Sequence, residues 1–188
     1  MGLEKEIQQL ENEVTEKQQL LTALHKKRAA EPINDYVFKD KEGNNKSLSE
    51  MFGNSNELLL IHNMGKSCAY CTLWADELNG ITNHLNNRVP LVVISPNEPN
   101  IMKEFSKSRN WKFNIYSSKD NTFKKDIGFE KWDGMVQPGV SVFTKDEKGN
   151  YFIYNKATFG PGDLFSGIWH YLDLLPNGSN KWSPKFSY

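Results

Sequence analysis

Only two of the 188 residues are cysteine, Cys68 and Cys71. That scarcity excludes a disulfide framework, and a chain of this length can bury a core without one. Long hydrophobic runs are missing as well, since nothing approaches the roughly 20 consecutive apolar residues of a membrane-spanning helix. The opening MGLEKEIQQL lacks the apolar core of a signal peptide. Glu6 stands where a myristoylation signal beginning at Gly2 needs Ser or Thr. A cytoplasmic location is expected, and in a reducing compartment two cysteines point to catalysis or metal binding rather than to a structural bridge. No excess of one charge exists either, with 23 Lys and Arg against 23 Asp and Glu. Neither nucleic acid nor an anionic membrane surface is therefore expected as a partner. Internal repeats and low-complexity tracts are absent, and no motif calls for a cofactor.

What the chain does have is LLLIHNMGKSCAYCTLWADEL, Leu58 to Leu78, which holds both cysteines. The apolar residues Leu58 to Ile61 read as a buried strand, and His62 to Ser67 as a loop. From Cys68 the period becomes helical: Cys71, Trp74, Leu78 and Ile81 share a face, with Ser67 expected as N-cap. A C-x-x-C pair at a strand-to-helix junction places Cys68 against free backbone N–H groups and the positive end of the helix dipole, which favours its thiolate. Cys71, one turn further on, is placed to attack a mixed disulfide at Cys68. The competing reading is a pair of inert buried thiols, and the βα setting favours redox chemistry.

The remaining elements follow from periodicity. Leu3, Ile7, Leu10, Val14, Leu21 and Leu24 keep a four-three spacing interrupted by Lys17, which predicts a long amphipathic helix. Its seam reads either as a homodimer contact or as a face packed along its own domain. Glu31 and Pro32 are expected to end this helix and begin a linker. The chain then divides into an N-terminal helix over 1–31, a domain over 32–175 and a tail over 176–188. Within the domain we expect a hairpin through Tyr36–Phe38 and Ser47-Leu48 and a helical turn ending at Gly53. The hub strand comes next, followed by a doubly buried strand over Pro90–Ser95. Then come a helix over Asn97–Arg109, a strand over Trp111–Tyr116, a short helix over Asp120–Ile127 and a loop to Gln137. Strands on either side of a turn at Asp146–Asn150 and a helix over Asp163–Leu175 complete the order.

This order resembles a thioredoxin-like α/β fold in its peroxiredoxin-like elaboration, a central mixed sheet flanked by helices, with a long N-terminal helix in addition. The chain is most similar to a bacterial family of unknown function whose members are described as predicted dithiol-disulfide oxidoreductases. The residues carrying the resemblance are DYVF from Asp35, IHNM from Ile61, C-x-x-C-x-x-WAD from Cys68 to Asp76, Ser117-Ser118, PGVSVF from Pro138 and YLDLLPNG from Tyr171. It implies Cys68 as nucleophile, Cys71 as resolving thiol, and Pro138 as the proline that thioredoxin-like proteins hold in cis. Gln137 would then present its backbone to an extended substrate. Tyr70, in the dipeptide Ala69-Tyr70 that replaces Gly-Pro of thioredoxins, is expected beside the substrate too. His62 stands where thioredoxins carry a buried acid and is expected either to relay the proton of the resolving thiol or to be a hydrogen-bonded core residue. Expected partners are a disulfide-containing protein or a small thiol, and an electron donor the sequence does not identify.

Two other activities fail on spacing. A peroxidatic loop wants Pro and Thr or Ser seven and three residues before its cysteine; those places hold Ile61 and Gly65 for Cys68, and Met64 and Cys68 for Cys71. Cys68, Cys71 and His84 have finger-like spacing, but Arg88 lies where a fourth zinc ligand is needed. No metal is therefore expected. A thioredoxin-fold binding module with merely inherited cysteines is the remaining alternative.

Overall fold

The computed structural model describes residues 2–188. Met1, counted in the first unit above, lies outside the described residues. A single eight-stranded sheet runs through the domain in the order β1-β8-β7-β4-β5-β6-β2-β3. Its strands are β1 (Glu31–Ile33), β2 (Val37–Lys39), β3 (Asn45–Ser47), β4 (Glu57–His62), β5 (Leu91–Ser95), β6 (Asn114–Ser117), β7 (Gly139–Lys145) and β8 (Tyr151–Thr158). The helices are α1 (Leu3–His25), α2 (Leu48–Met51), α3 (Ala69–Arg88), α4 (Pro99–Ser108), α5 (Phe123–Asp126) and α6 (Gly167–Asp173). Strands β4, β5 and β6 pair in parallel through the connections α3 and α4, and the outer pairings are antiparallel.

The two sheet faces feed separate cores. Leu58, Leu60, Val92, Ile94 and Phe143 point into a layer with Phe38, Phe52, Phe123 and Phe129. Leu91, Val93 and Ile115 point the other way, against Ala75, Met102, Trp111 and Phe113. Strand β5 is buried along its whole length, as its unbroken apolar run predicts. In β4 burial alternates: Leu58, Leu60 and His62 are buried, while Leu59 and Ile61 are only half-covered.

Three local expectations change. The presumed linker at Glu31–Ile33 is an edge strand on β8, a place proline tolerates because an edge N–H need not enter the ladder. Residues Asp163 to Ser166 stay outside the last helix. Asp163 accepts from the backbone N–H of Gly160 and Phe165 (2.9 and 2.7 Å), forming a turn that leaves Leu164 and Phe165 exposed. Strand β6 begins at Asn114, and Trp111 and Phe113 enter the core from the approach to it.

The C-terminal segment lies back on the domain. Trp182 packs on Trp169, Phe186 on Phe105, and Arg109 donates to the Phe186 carbonyl at 2.7 Å.

Candidate active site

Strand β4 ends at His62 and α3 begins at Ala69, so the end of the joining loop and the first turn of α3 place Cys68 and Cys71 beyond the end of the parallel strands. Two asparagines hold that loop. Asn63 Oδ1 accepts from Gly65 N (2.6 Å), and Asn97 Oδ1 accepts from Lys66 N (2.7 Å). Gly65 has φ 104°, and a Cβ there would stand 2.8 Å from Asn97 Oδ1, so the tight turn requires glycine. The N-cap of α3 is Cys68, not Ser67: its Sγ accepts from the backbone N–H of Cys71 at 3.1 Å. Its carbonyl takes the N–H and hydroxyl of Thr72, each at 3.0 Å.

The two thiols are free and sharply unequal. Cys68 is half-exposed, and its pKa is pulled down to about 7. The Cys71 thiol donating to its sulfur contributes most; burial opposes this, and the N–H groups of Cys71 and Tyr70 add to the lowering. Cys71 is buried and accepts from Met64 N at 3.4 Å. Its pKa is pushed far up, chiefly because its proton bonds to Cys68 and then because of burial. The proton shared by the pair therefore resides on Cys71, leaving Cys68 as the more readily ionised thiol.

His62 borders a narrow crevice with Asn63, Cys71, Trp74 and Phe159, so the structure brings it close to the Cys71 thiol. Its ring is 1% exposed, stacked 3.7 Å from Phe129 and 5.9 Å from Phe123, with Nε2 bonded to Ser141 Oγ at 2.9 Å. Nδ1 is buried without a partner among the described residues. Burial, followed by the charges of Lys124 and Lys156, holds its pKa well below the ordinary imidazole value. The ring therefore stays neutral near pH 7, and of the two expectations its burial and its bond to Ser141 accord with the hydrogen-bonded core residue rather than with a relay titrating near neutrality.

Sequence reasoning missed Lys124. It is 3% exposed, projects from α5, and donates from Nζ to the Asn63 carbonyl at 2.5 Å. Among the described residues no carboxylate pairs with it. Burial pulls its pKa to about 7, opposed by electrostatic interaction with Cys71 and Glu130. The Phe123-Lys124-Lys125 run reads as an ordinary solvated helix face, so no local signal marks this residue.

Pro138 follows the 129–137 loop and leads into Gly139, which sits opposite His62 in the ladder. Its carbonyl accepts from Phe159 N at 3.0 Å, which ties it to the crevice beside Cys71. The bond preceding Pro138 is trans, as are all peptide bonds among the described residues, and this corrects the cis expectation. The flanking backbone is held by Gln137 N donating to Phe129 O (2.7 Å), in a setting where trans is also the intrinsic preference. Gln137 is half-buried, its amide donating to the Val136 carbonyl at 3.1 Å. Tyr70 packs on Trp74 and Trp169, with ring centroids 6.2 and 6.1 Å away. Lys66 and His84 are exposed.

Beside the crevice runs an apolar groove of about 320 Å³. Leu59 and Ile61 of β4, Trp74 and Leu78 of α3, Phe159 and Leu164 are among its walls. Trp74, Phe159, Ile61 and Leu78 line crevice and groove alike, so the groove opens beside Cys71.

Solved structures share this architecture at low sequence identity. A peroxidoxin, BcpB, from Mycobacterium tuberculosis superposes with TM-score 0.57 and 15% identity, over 70% of this chain and 85% of that one. A peroxiredoxin-like protein from Aquifex aeolicus gives 0.56 and 17%, over 70% and 75%. Reduced Prx3 in complex with hydrogen peroxide, from Vibrio vulnificus, gives 0.58 and 14%, over 73% and 91%. These likenesses establish a thioredoxin-like fold of the peroxiredoxin-like kind. No curated protein matches the chain. Residues 2–187 match the model of one family, and the chain belongs to it: the bacterial proteins of unknown function grouped as DUF899.

Proposed function

We propose that the protein is a dithiol-disulfide oxidoreductase. The observation that carries this reading is the Cys68 sulfur at the head of α3, accepting from Cys71 N and lowered to a pKa of about 7 beside a second thiol. In the reductive direction the Cys68 thiolate attacks one sulfur of a substrate disulfide. A mixed disulfide forms and one substrate thiolate leaves, taking a proton from solvent. Cys71 then attacks Cys68 Sγ, the second substrate thiolate departs and takes up a proton, and the Cys68–Cys71 disulfide holds the two electrons' worth of oxidation. A thiol or dithiol donor restores the reduced pair.

Cys71 must lose its proton for the second step, and Lys124 is the group we assign to take it. Its buried amine lies within the electrostatic reach of Cys71 and is neutral for much of its population near pH 7. Tyr70, Gln137 and Pro138 border the substrate, and the half-covered apolar groove beside Cys71 accepts its nonpolar part.

Three measurements test the reading together. Alkylation of Cys68 by iodoacetamide rises with pH to a plateau with a midpoint near 7. Reduction of insulin by the protein with dithiothreitol is lost in Cys68→Ser. The Cys68–Cys71 couple equilibrates with glutathione at a definite potential. An ordinary thiol midpoint with no exchange activity overturns the proposal in favour of a binding module. Oxidation of Cys68 by hydrogen peroxide far faster than by a disulfide overturns it in favour of a peroxidase.

A further inference from the structure

Helix α1 is 23 residues long and has no buried residue. Its apolar seam is open to solvent, from Leu3 at 69% exposure through Leu10 and Val14 at 55% and 56% to Leu24 at 52%. Among the described residues its side-chain hydrogen bonds to the domain come just past its C-terminal end, where Tyr154 Oη donates to the Lys26 carbonyl (3.0 Å) and Arg28 to Asn155 Oδ1 (2.9 Å). A single helix of that length with an exposed apolar stripe is only marginally stable in water, so the seam needs a cover.

The charge pattern says what covers it. From Leu3 to Glu16 the segment carries Glu4, Glu6, Glu11, Glu13 and Glu16 against Lys5 alone. From Lys17 to Arg28 it carries Lys17, Lys26, Lys27 and Arg28 with no acid. The helix is thus acidic in its first half, while its second half carries Lys17 alone and the basic run Lys26-Lys27-Arg28 follows its last residue, His25, so that segment 3–28 as a whole is complementary to itself when reversed. We propose that two copies of the chain form a homodimer through an antiparallel pairing of their α1 helices.

A parallel pair would set acid against acid and base against base, and its flanking positions would oppose Glu6 to the partner's Glu11. The antiparallel pair aligns opposite halves and opposite helix dipoles, and its two-fold symmetry makes the contact close on itself. In register it places Leu10 against the partner's Leu21, Ile7 against the partner's Leu24, and Lys17 beside the partner's Val14 and Glu13. The interrupting lysine of the seam thereby gains an acidic neighbour. Leu10, Val14 and Leu21 form one wall of an open trough of about 410 Å³ whose other wall is Leu164, space for side chains of the partner's seam. Leu164 also lines the groove beside Trp74, so the partner helix bears on the rim of the proposed substrate site.

Sedimentation equilibrium on the full chain should give twice the 21.6 kDa chain mass. The double variant Leu10→Glu, Leu21→Glu should fall to the single-chain mass while keeping its Cys68 alkylation profile. Orientation is read by oxidative cross-linking in a Cys68→Ser, Cys71→Ser background. Leu10→Cys with Leu21→Cys should yield covalent dimers, and Leu10→Cys alone should yield few. A single-chain mass at all concentrations overturns the proposal, as does efficient cross-linking of Leu10→Cys alone.

Discussion

At Cys68 one hydrogen bond separates an acidic thiol from an ordinary one. Its pKa of about 7 owes most to the donor on Cys71, so Cys71→Ala should raise the alkylation midpoint of Cys68. A hydrogen bond to a charged group is worth about 1.5–3 kcal/mol, which corresponds to roughly one to two pH units. The folded pKa of Cys68 lies below the unfolded one. Its contribution to stability is therefore fully present above the unfolded value and is lost as the pH falls through about 7. Lys124 is shifted the same way for a different reason, burial of an amine. Between about 7 and the ordinary lysine value of 10.5 the folded state holds fewer protons than the unfolded one, so stability gained from this group rises with pH. Replacing it by Met should accordingly stabilise the fold more at pH 6 than at pH 9.5, as urea titration at the two values would measure. The same variant should slow release of the mixed disulfide by about 100-fold, the lower range for general acid-base assistance. The Cys68 alkylation midpoint should stay near 7, because Lys124 is not among the groups that lower it.

At the level of elements, the site depends on two close approaches that leave no room for a side chain. At Gly139 a Cβ would lie 2.3 Å from the Ala157 carbonyl and 2.5 Å from the Phe129 ring that stacks on His62. Gly139→Ala must push β7 from β8 or displace Phe129, which should cost about 1–3 kcal/mol of unfolding free energy in urea denaturation. Strand β5, the β2–β3 hairpin and the βα junction of β4 and α3 were legible, because long apolar runs and their punctuation declare themselves locally. The N-cap was not: Ser67 has the side chain usual for a cap, but the helix starts one residue later, behind the extended backbone of Cys68. Nor was the loss of Leu164 and Phe165 from the last helix, where the side chain of Asp163 competes with helical hydrogen bonding.

Across the whole molecule, the longest exposed apolar stripe lies on α1, where the acidic residues gather in the first half. If opposite halves of α1 meet in the dimer, screening should weaken it: raising NaCl from 0.05 to 0.5 M should increase the dissociation constant by roughly tenfold, measurable by sedimentation at several salt concentrations. The seam of α1 was readable from its heptads, but its full exposure was not, because burial depends on what the rest of the chain leaves uncovered.

The amino-acid order by itself determined the thioredoxin-like succession of elements and the position of Cys68 and Cys71 at a strand-to-helix turn. Hydrophobic period, glycine and capping chemistry act over a few residues, and so are written locally. Tertiary structure decided that His62 stays neutral between aromatic rings, that the Gln137–Pro138 bond is trans, and that Lys124, 53 positions beyond Cys71, brings a buried amine to the Asn63 carbonyl on the loop before the two cysteines. Proton affinity depends on burial and on neighbouring charge, and neither exists until distant segments of the chain have packed together.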